Sequence, residues 1–114
     1  GVKWLRTIDP YNVQDLIKLL KDAYAHTKAE DGGIAVIIAR HPCLIRYPEG
    51  LEENRIKVEI TDDCNGCRYC IDHFECPALL FDEENERALI DRKLCIDCGV
   101  CINVCARGAI VEVE

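Results

Sequence analysis

Methionine is absent from this 114-residue chain, and aromatic residues are few: one Trp, four Tyr and two Phe. Such a chain has little with which to fill a wide core, and its length leaves room for about one ordinary domain. Long apolar runs are missing too. The longest, Ile34 to Ala39, is far below the roughly 20 residues that cross a bilayer, so no membrane partner is expected. Gly1-Val2-Lys3-Trp4 runs straight into a strand-like segment and offers no apolar stretch of a secretory leader. Positive charge is short in one half only. Residues 1–60 carry nine basic and nine acidic side chains, whereas residues 61–114 carry five and twelve, so the whole net charge of −7 lies there. Phosphate binding needs a basic face, which excludes nucleic acid as a partner of that half.

What the chain has in excess is cysteine, nine of 114 residues or about 8%, well above average usage. Nine is odd for a fully paired disulfide framework, and eight of them fall into two tight groups. A reduced, cytoplasmic chain whose small core is helped by metal is therefore expected.

The first group is Cys64-x2-Cys67-x2-Cys70-x5-Cys76-Pro77, and the second is Cys95-x2-Cys98-x2-Cys101-x3-Cys105. Three thiolates at i, i+3 and i+6 can wrap one face of a cuboidal iron–sulfur cluster and hold three of its irons. The fourth iron then takes a ligand from elsewhere, and in two-cluster ferredoxins that ligand comes from the other motif. This assigns Cys64, Cys67, Cys70 and Cys105 to cluster I, and Cys95, Cys98, Cys101 and Cys76 to cluster II. Zinc is the competing reading of paired CxxC groups, but it takes four ligands as two pairs and leaves the third Cys of each group without a role.

An internal repeat runs through this half. Adding 31 to Cys64, Cys67 and Cys70 gives Cys95, Cys98 and Cys101, and adding 31 to Ala78 and Leu79 gives Ala109 and Ile110. Only the fourth cysteine breaks register: Cys76 maps onto 107, two residues past Cys105. Ile71, Ile96, Ile102, Val104, Ala78, Leu79, Ala109 and Ile110 are candidates for an apolar lining. Gly66 and Gly99 stand beside candidate ligands, where a backbone must approach sulfur closely or take positive φ.

The other half reads differently. Val2 to Ile8 is a predicted strand, Asp9-Pro10 a predicted helix start with Pro in the first turn and Asn12 as a second possible cap. Leu16, Ile17, Leu19, Leu20, Ala23 and Tyr24 recur at helical spacing after Val13. Gly32-Gly33 breaks the chain, and Ile34–Ala39 follows as a β-branched run without alternation. Such a run is the mark of a strand covered on both faces. One helix covers one face, and a two-stranded sheet is too small to stand alone. Residues 1–43 thus read as a βαβ unit that completes or docks on a larger α/β sheet, with a fold-back of the Cys-rich half as the alternative cover. Residues 44–60 read as a connector, with a turn at Tyr47-Pro48-Glu49-Gly50 and a strand over Arg55 to Ile60. The fold class expected is α+β: a ferredoxin-like two-[4Fe–4S] domain over 61–114 behind that unit.

On these residues the chain resembles a known family. The two motifs are similar to those of any bacterial two-cluster ferredoxin. Asp9-Pro10-Tyr11-Asn12, the amphipathic helix, and the apolar strand ending Ala39-Arg40-His41-Pro42-Cys43 resemble the C-terminal end of the indolepyruvate ferredoxin oxidoreductase alpha subunit. The stretched first motif ending Cys76-Pro77-Ala78-Leu79 does so too. The resemblance implies that residues 1–43 close a thiamine diphosphate-binding domain and that the chain carries electrons within a 2-oxoacid oxidoreductase. The implied partners are other domains or subunits of that enzyme and an external carrier such as ferredoxin. Thiamine diphosphate and magnesium would belong to the complete enzyme, because this chain has no GDG…N motif to hold them. Ala106 stands where a Pro usually follows the last Cys, and His41 where a basic residue precedes Pro42. A free, diffusible ferredoxin with an N-terminal extension is the alternative reading. Outside the motifs, Cys43 reads as a buried thiol or domain contact, His73 as a solvated loop residue, and Trp4 as packing.

Overall fold

The computed structural model describes residues 1–43, 46 and 55–114. The chain divides into two compact units, Gly1–Arg46 and Tyr47–Glu114.

The first unit is a βαβ arrangement. Strand β1 (Trp4–Ile8) pairs in parallel with β2 (Ala35–Ala39), in the register Trp4↔Ala35 through Ile8↔Ala39. Helix α1 (Val13–Lys28) joins them. It starts later than Asp9-Pro10 predicts. The Asp9 carboxylate accepts the Tyr11 N–H at 2.9 Å, a local turn that competes with helix. Pro10 therefore lies in that turn, and Asn12 takes the cap position without a side-chain hydrogen bond. His41 Nδ1 lies 2.9 Å from Asp9 Oδ2 and ties the end of β2 to the end of β1. That contact also shows what a residue before Pro42 does: it meets a carboxylate.

No residue of α1 is buried. Val13, Leu16, Leu19, Ala23 and His26 form a half-buried stripe, while Ile17, Leu20 and Tyr24 form a second apolar stripe that is exposed. The Trp4 ring stacks on His26 at 6.0 Å. Ile34 falls outside β2 and is exposed, and Ile38 and Leu5 remain close to half exposed. The strand covered on both faces is thus not formed from the described residues alone. Cys43 is exposed, not buried.

The second unit contains every buried apolar residue among the described ones. Its strands are β3 (Val58–Ile60), β4 (Leu79–Asp82), β5 (Arg87–Ile90) and β6 (Ile110–Glu112). The strand expected over 55–60 shortens to β3 because Ile56 instead bridges Cys98 in parallel. The predicted turn at residues 47–50 lies outside the described residues. A one-turn helix α2 (Tyr69–Asp72) follows the first motif's loop, and a 3₁₀ turn, Val100–Asn103, follows the second. These two elements are 31 residues apart, residue for residue.

Pairing crosses the repeat. β3, before the first motif, pairs antiparallel with β6, after the second, and β4, after the first motif, pairs with β5, before the second. The Thr61 N–H donates to the Ala109 carbonyl and the Asp91 N–H to the Ala78 carbonyl, both at 2.8 Å. The core repeats likewise: Cys70, Ala78 and Leu79 are buried with their counterparts Cys101, Ala109 and Ile110. Ile71, Ile102 and Val104 pack against this core as the sequence suggests. Ile96 does not; it is 46% exposed. No helix among the described residues is long and apolar enough to cross a membrane.

Candidate metal centre

The crossed pairing decides where the thiols go. Cys64 follows β3 and Cys105 precedes β6, so joining those strands brings the first three cysteines of one motif beside the last of the other. Cys64, Cys67, Cys70 and Cys105 all line one cavity of about 60 Å³. The rest of its wall joins apolar side chains, Ile60, Ala88, Val104 and Ala109 among them, to Asn65, Arg68 and Arg107. The other crossing, β4 with β5, does the same for Cys76 and Cys95. The charge neighbours of Cys101 are Cys98, Cys76 and Cys95.

The backbone of each loop follows from the repeat. Gly66 and Asp97, which correspond, have φ of 67° and 56°; Arg68 and Gly99, which also correspond, have φ of 62° and 69°. Each loop needs two left-handed residues at the same places, and each supplies glycine at a different one of them. The choice is steric. A Cβ on Gly66 would lie 2.2 Å from the Glu86 carbonyl oxygen, and one on Gly99 would lie 2.8 Å from the Ile56 side chain. Asp97 carries a side chain at the matching place, and its carbonyl accepts the Ile56 N–H at 2.8 Å.

In each set the third cysteine is the inner one. Cys70 and Cys101 are 9% exposed. Burial pushes the Cys101 thiol up to about 11, with the neighbouring thiols adding to the shift. Burial also raises Cys70, and Cys105, Cys64 and Cys67 raise it further. Cys95 is raised by burial first, while the Asp97 backbone N–H opposes this and the Asp97 carboxylate, 3.5 Å from its sulfur, adds to it. These thiols hold their protons at neutral pH until a metal displaces them. The Ala109 N–H points at the Cys105 sulfur at 3.3 Å, a donor suited to a thiolate.

Does a cluster fit these donors? A single zinc holds four sulfurs at about 2.3 Å, which draws them to roughly 3.8 Å from one another. Among the described residues no three His, Cys, Asp or Glu side chains converge closely enough to hold one metal ion. The first cysteine set instead encloses a space, with apolar walls to exclude water and a backbone donor aimed at sulfur. That is the donor set of an iron–sulfur cluster.

Several supporting residues are not visible in the motif spacing. Arg87 donates to the Ile60 and Thr61 carbonyls and pairs with Asp62 at 2.9 Å. Arg92 donates to the Val58 carbonyl and pairs with Asp97 at 3.6 Å. Both reach from the second repeat onto β3 or its exit. Arg68 lies 4.5 Å over the Phe81 ring and pairs with Asp72 and Glu83. His73 is exposed and its ring lies 4.7 Å from that of Tyr69.

Residues 56–106 match the family model of the 4Fe-4S dicluster domain. The match supports two [4Fe–4S] clusters and sets the chain among iron–sulfur proteins of electron transport. The similarity extends well beyond that domain. The chain is 38% identical over 112 residues to the indolepyruvate oxidoreductase subunit IorA of Archaeoglobus fulgidus, covering 96% of this chain and 17% of that subunit. It is 31% identical to the same subunit of Pyrococcus horikoshii over 118 residues, and 31% identical to that of Thermococcus kodakarensis over 110. The chain thus spans about a sixth of the length of these relatives. No solved structure matches it significantly.

Proposed function

We propose that this chain is the electron-carrying end of a cytoplasmic 2-oxoacid ferredoxin oxidoreductase of the indolepyruvate type. Cys64, Cys67, Cys70 and Cys105 hold cluster I; Cys95, Cys98, Cys101 and Cys76 hold cluster II. The clusters supply one-electron redox chemistry when bound. The chain's own residues set their surroundings: Ile60, Ala88 and Val104 exclude water, the Ala109 N–H disperses charge on the Cys105 thiolate, and the left-handed loops bring backbone to sulfur. Residues 1–43 complete a larger α/β sheet that binds thiamine diphosphate and magnesium through residues outside this chain, and the connector of residues 44–60 gives its last strand, β3, to the dicluster unit. The partners are the rest of that enzyme and an external carrier such as ferredoxin. The exposed stripe Ile17, Leu20 and Tyr24 favours this reading over a free ferredoxin, because a diffusible carrier gains nothing from an uncovered apolar face.

One observation carries the ligand assignment: Cys105 lines the same cavity as Cys64, Cys67 and Cys70. The test is Cys105→Ala against Cys76→Ala, each reconstituted anaerobically and read by electron paramagnetic resonance. Cys105→Ala is expected to convert cluster I to a three-iron form and leave cluster II, and Cys76→Ala to do the reverse. If each substitution damages the cluster of its own motif, the crossed assignment falls.

A further inference from the structure

Of the eight motif cysteines, Cys67 is the exposed one. It lines the cavity it shares with Cys64, Cys70 and Cys105, and the side of that cavity where Cys67 is exposed is its mouth to solvent. The chemistry of that mouth differs from the rest of its unit. Residues 61–114 hold only five basic side chains against twelve acidic, yet two of the five, Arg68 and Arg107, line this one cavity and no carboxylate does. Arg107 is exposed and its Nε donates to the Asp63 carbonyl at 3.2 Å. Among the described residues no carboxylate lies in ion-pair range of it. Arg68 is more constrained, with Asp72 at 3.5 Å and Glu83 at 3.9 Å. Tyr69, 54% exposed, adds an aromatic surface beside them. The other three basic residues lie elsewhere: Arg87 and Arg92 are spent on β3 carbonyls and carboxylates, and Lys93 lies two residues before Cys95.

The geometry points to the face around Cys67, Arg68, Tyr69 and Arg107 as the docking port for an acidic one-electron carrier protein. The inference rests on the electron-transfer reading above and adds a place to it. An exposed ligand gives the shortest through-protein path from cluster to surface. With Arg68 paired to carboxylates, the positive charge of this face comes from Arg107, on an otherwise acidic unit, and it draws an acidic carrier there, so charge fixes orientation as well as encounter rate. The step balances simply: one electron leaves the reduced centre held by Cys64, Cys67, Cys70 and Cys105, and the oxidised carrier, an iron–sulfur protein of negative net charge, takes it up.

The test uses the full chain, loaded with its clusters under anaerobic conditions, reduced, and mixed in a stopped-flow instrument with an oxidised acidic two-iron ferredoxin. Arg107→Glu is expected to lower the second-order rate about five- to tenfold at low ionic strength, with the difference vanishing in high salt. Lys93→Glu makes the same change of charge at the other end and is expected to alter the rate less than twofold. Arg68→Gln, milder because Arg68 also covers Phe81, should slow it about two- to threefold. A second readout needs no electron transfer: the paramagnetic chain should broaden amide signals on the acidic face of a gallium-substituted carrier, and Arg107→Glu should abolish that broadening. Equal slowing by Arg107→Glu and Lys93→Glu overturns the port. A loaded wild-type chain that neither reduces nor broadens the carrier overturns it as well and leaves this face as a contact with the rest of the enzyme. A chain that takes up no cluster, colourless and silent in electron paramagnetic resonance, overturns the electron-transfer reading itself.

Discussion

The two units solve the same problem of a small chain in opposite ways. Residues 58–110 contain all the buried apolar side chains among the described residues, and two of those eight are cysteines. Residues 1–43 contain none, yet they hold the longer helix and the more apolar strand. The second unit is short of core and makes up the shortfall with ligands that draw their surroundings together. The first has apolar surface in plenty and lacks something to bury it against. Composition alone would rank them the other way round. What matters is whether the partner for a hydrophobic face lies within the same stretch of chain.

The sharpest way to break this comparison is to remove the iron. Metal-site formation is coupled to folding, so stripping the clusters should disorder residues 58–114 while α1 persists in part. Amide dispersion and helical circular dichroism check both halves at once. Retained dispersion across 58–114 would show that its small core suffices.

Next in size is a single methyl group. Gly66→Ala places a Cβ 2.2 Å from a backbone oxygen at φ 67°, and it should destabilise the loaded chain by more than about 2 kcal/mol. Gly108→Ala, at φ 69° with open space around it, should cost about 1 kcal/mol, the conformational term alone. Thermal or denaturant unfolding of the loaded variants measures the difference.

The effect of pH should come third. Loaded cysteines are thiolates, whereas metal-free Cys101 keeps its proton up to about 11 and Cys70 is shifted the same way. Cluster retention should therefore fall as pH falls, with protons taken up on release, which a pH-stat records. In the metal-free fold the raised value favours the folded state only while the thiol is protonated. Its contribution is present below the ordinary thiol value of 9.0 and is lost as pH rises to about 11. Alkali should thus open the empty unit further rather than prime it.

The smallest effect belongs to the other unit. Leu20→Lys and Tyr24→Lys lie on the exposed stripe and should change the stability of this chain by less than about 0.5 kcal/mol. Under the function proposed above, the same changes block association with the other parts of such an oxidoreductase, read by co-purification. A large loss of stability in the chain alone would mean that the stripe is already covered.

The second unit was largely legible because metal chemistry fixes spacing. Cys64, Cys67 and Cys70, repeated 31 residues on, name both the motif and its pseudo-symmetry, and that symmetry also governs the one-turn elements and buried pairs. The grip of Arg87 and Arg92 on β3 was not legible, since side chains that seek backbone carbonyls leave no periodic trace. Nor was the division of left-handed positions between Gly66 and Asp97, because four residues share the task and only two are glycine. In the first unit, the helix and second strand followed from periodicity and a glycine pair. Its start did not, because Asp9 closes a turn on Tyr11 before the helix can begin. Periodicity merges the two apolar stripes of α1 into one, since it counts apolar residues without saying which of them has a neighbour.

The crossed strands have a consequence for how such a module travels. Val58 stands opposite Glu112, and the Val113 N–H donates to the Lys57 carbonyl at 2.9 Å. The dicluster fold therefore takes in its chain and releases it at one and the same edge. A segment whose two ends touch can be grafted onto a host protein, moved to another or excised, with little rearrangement of either.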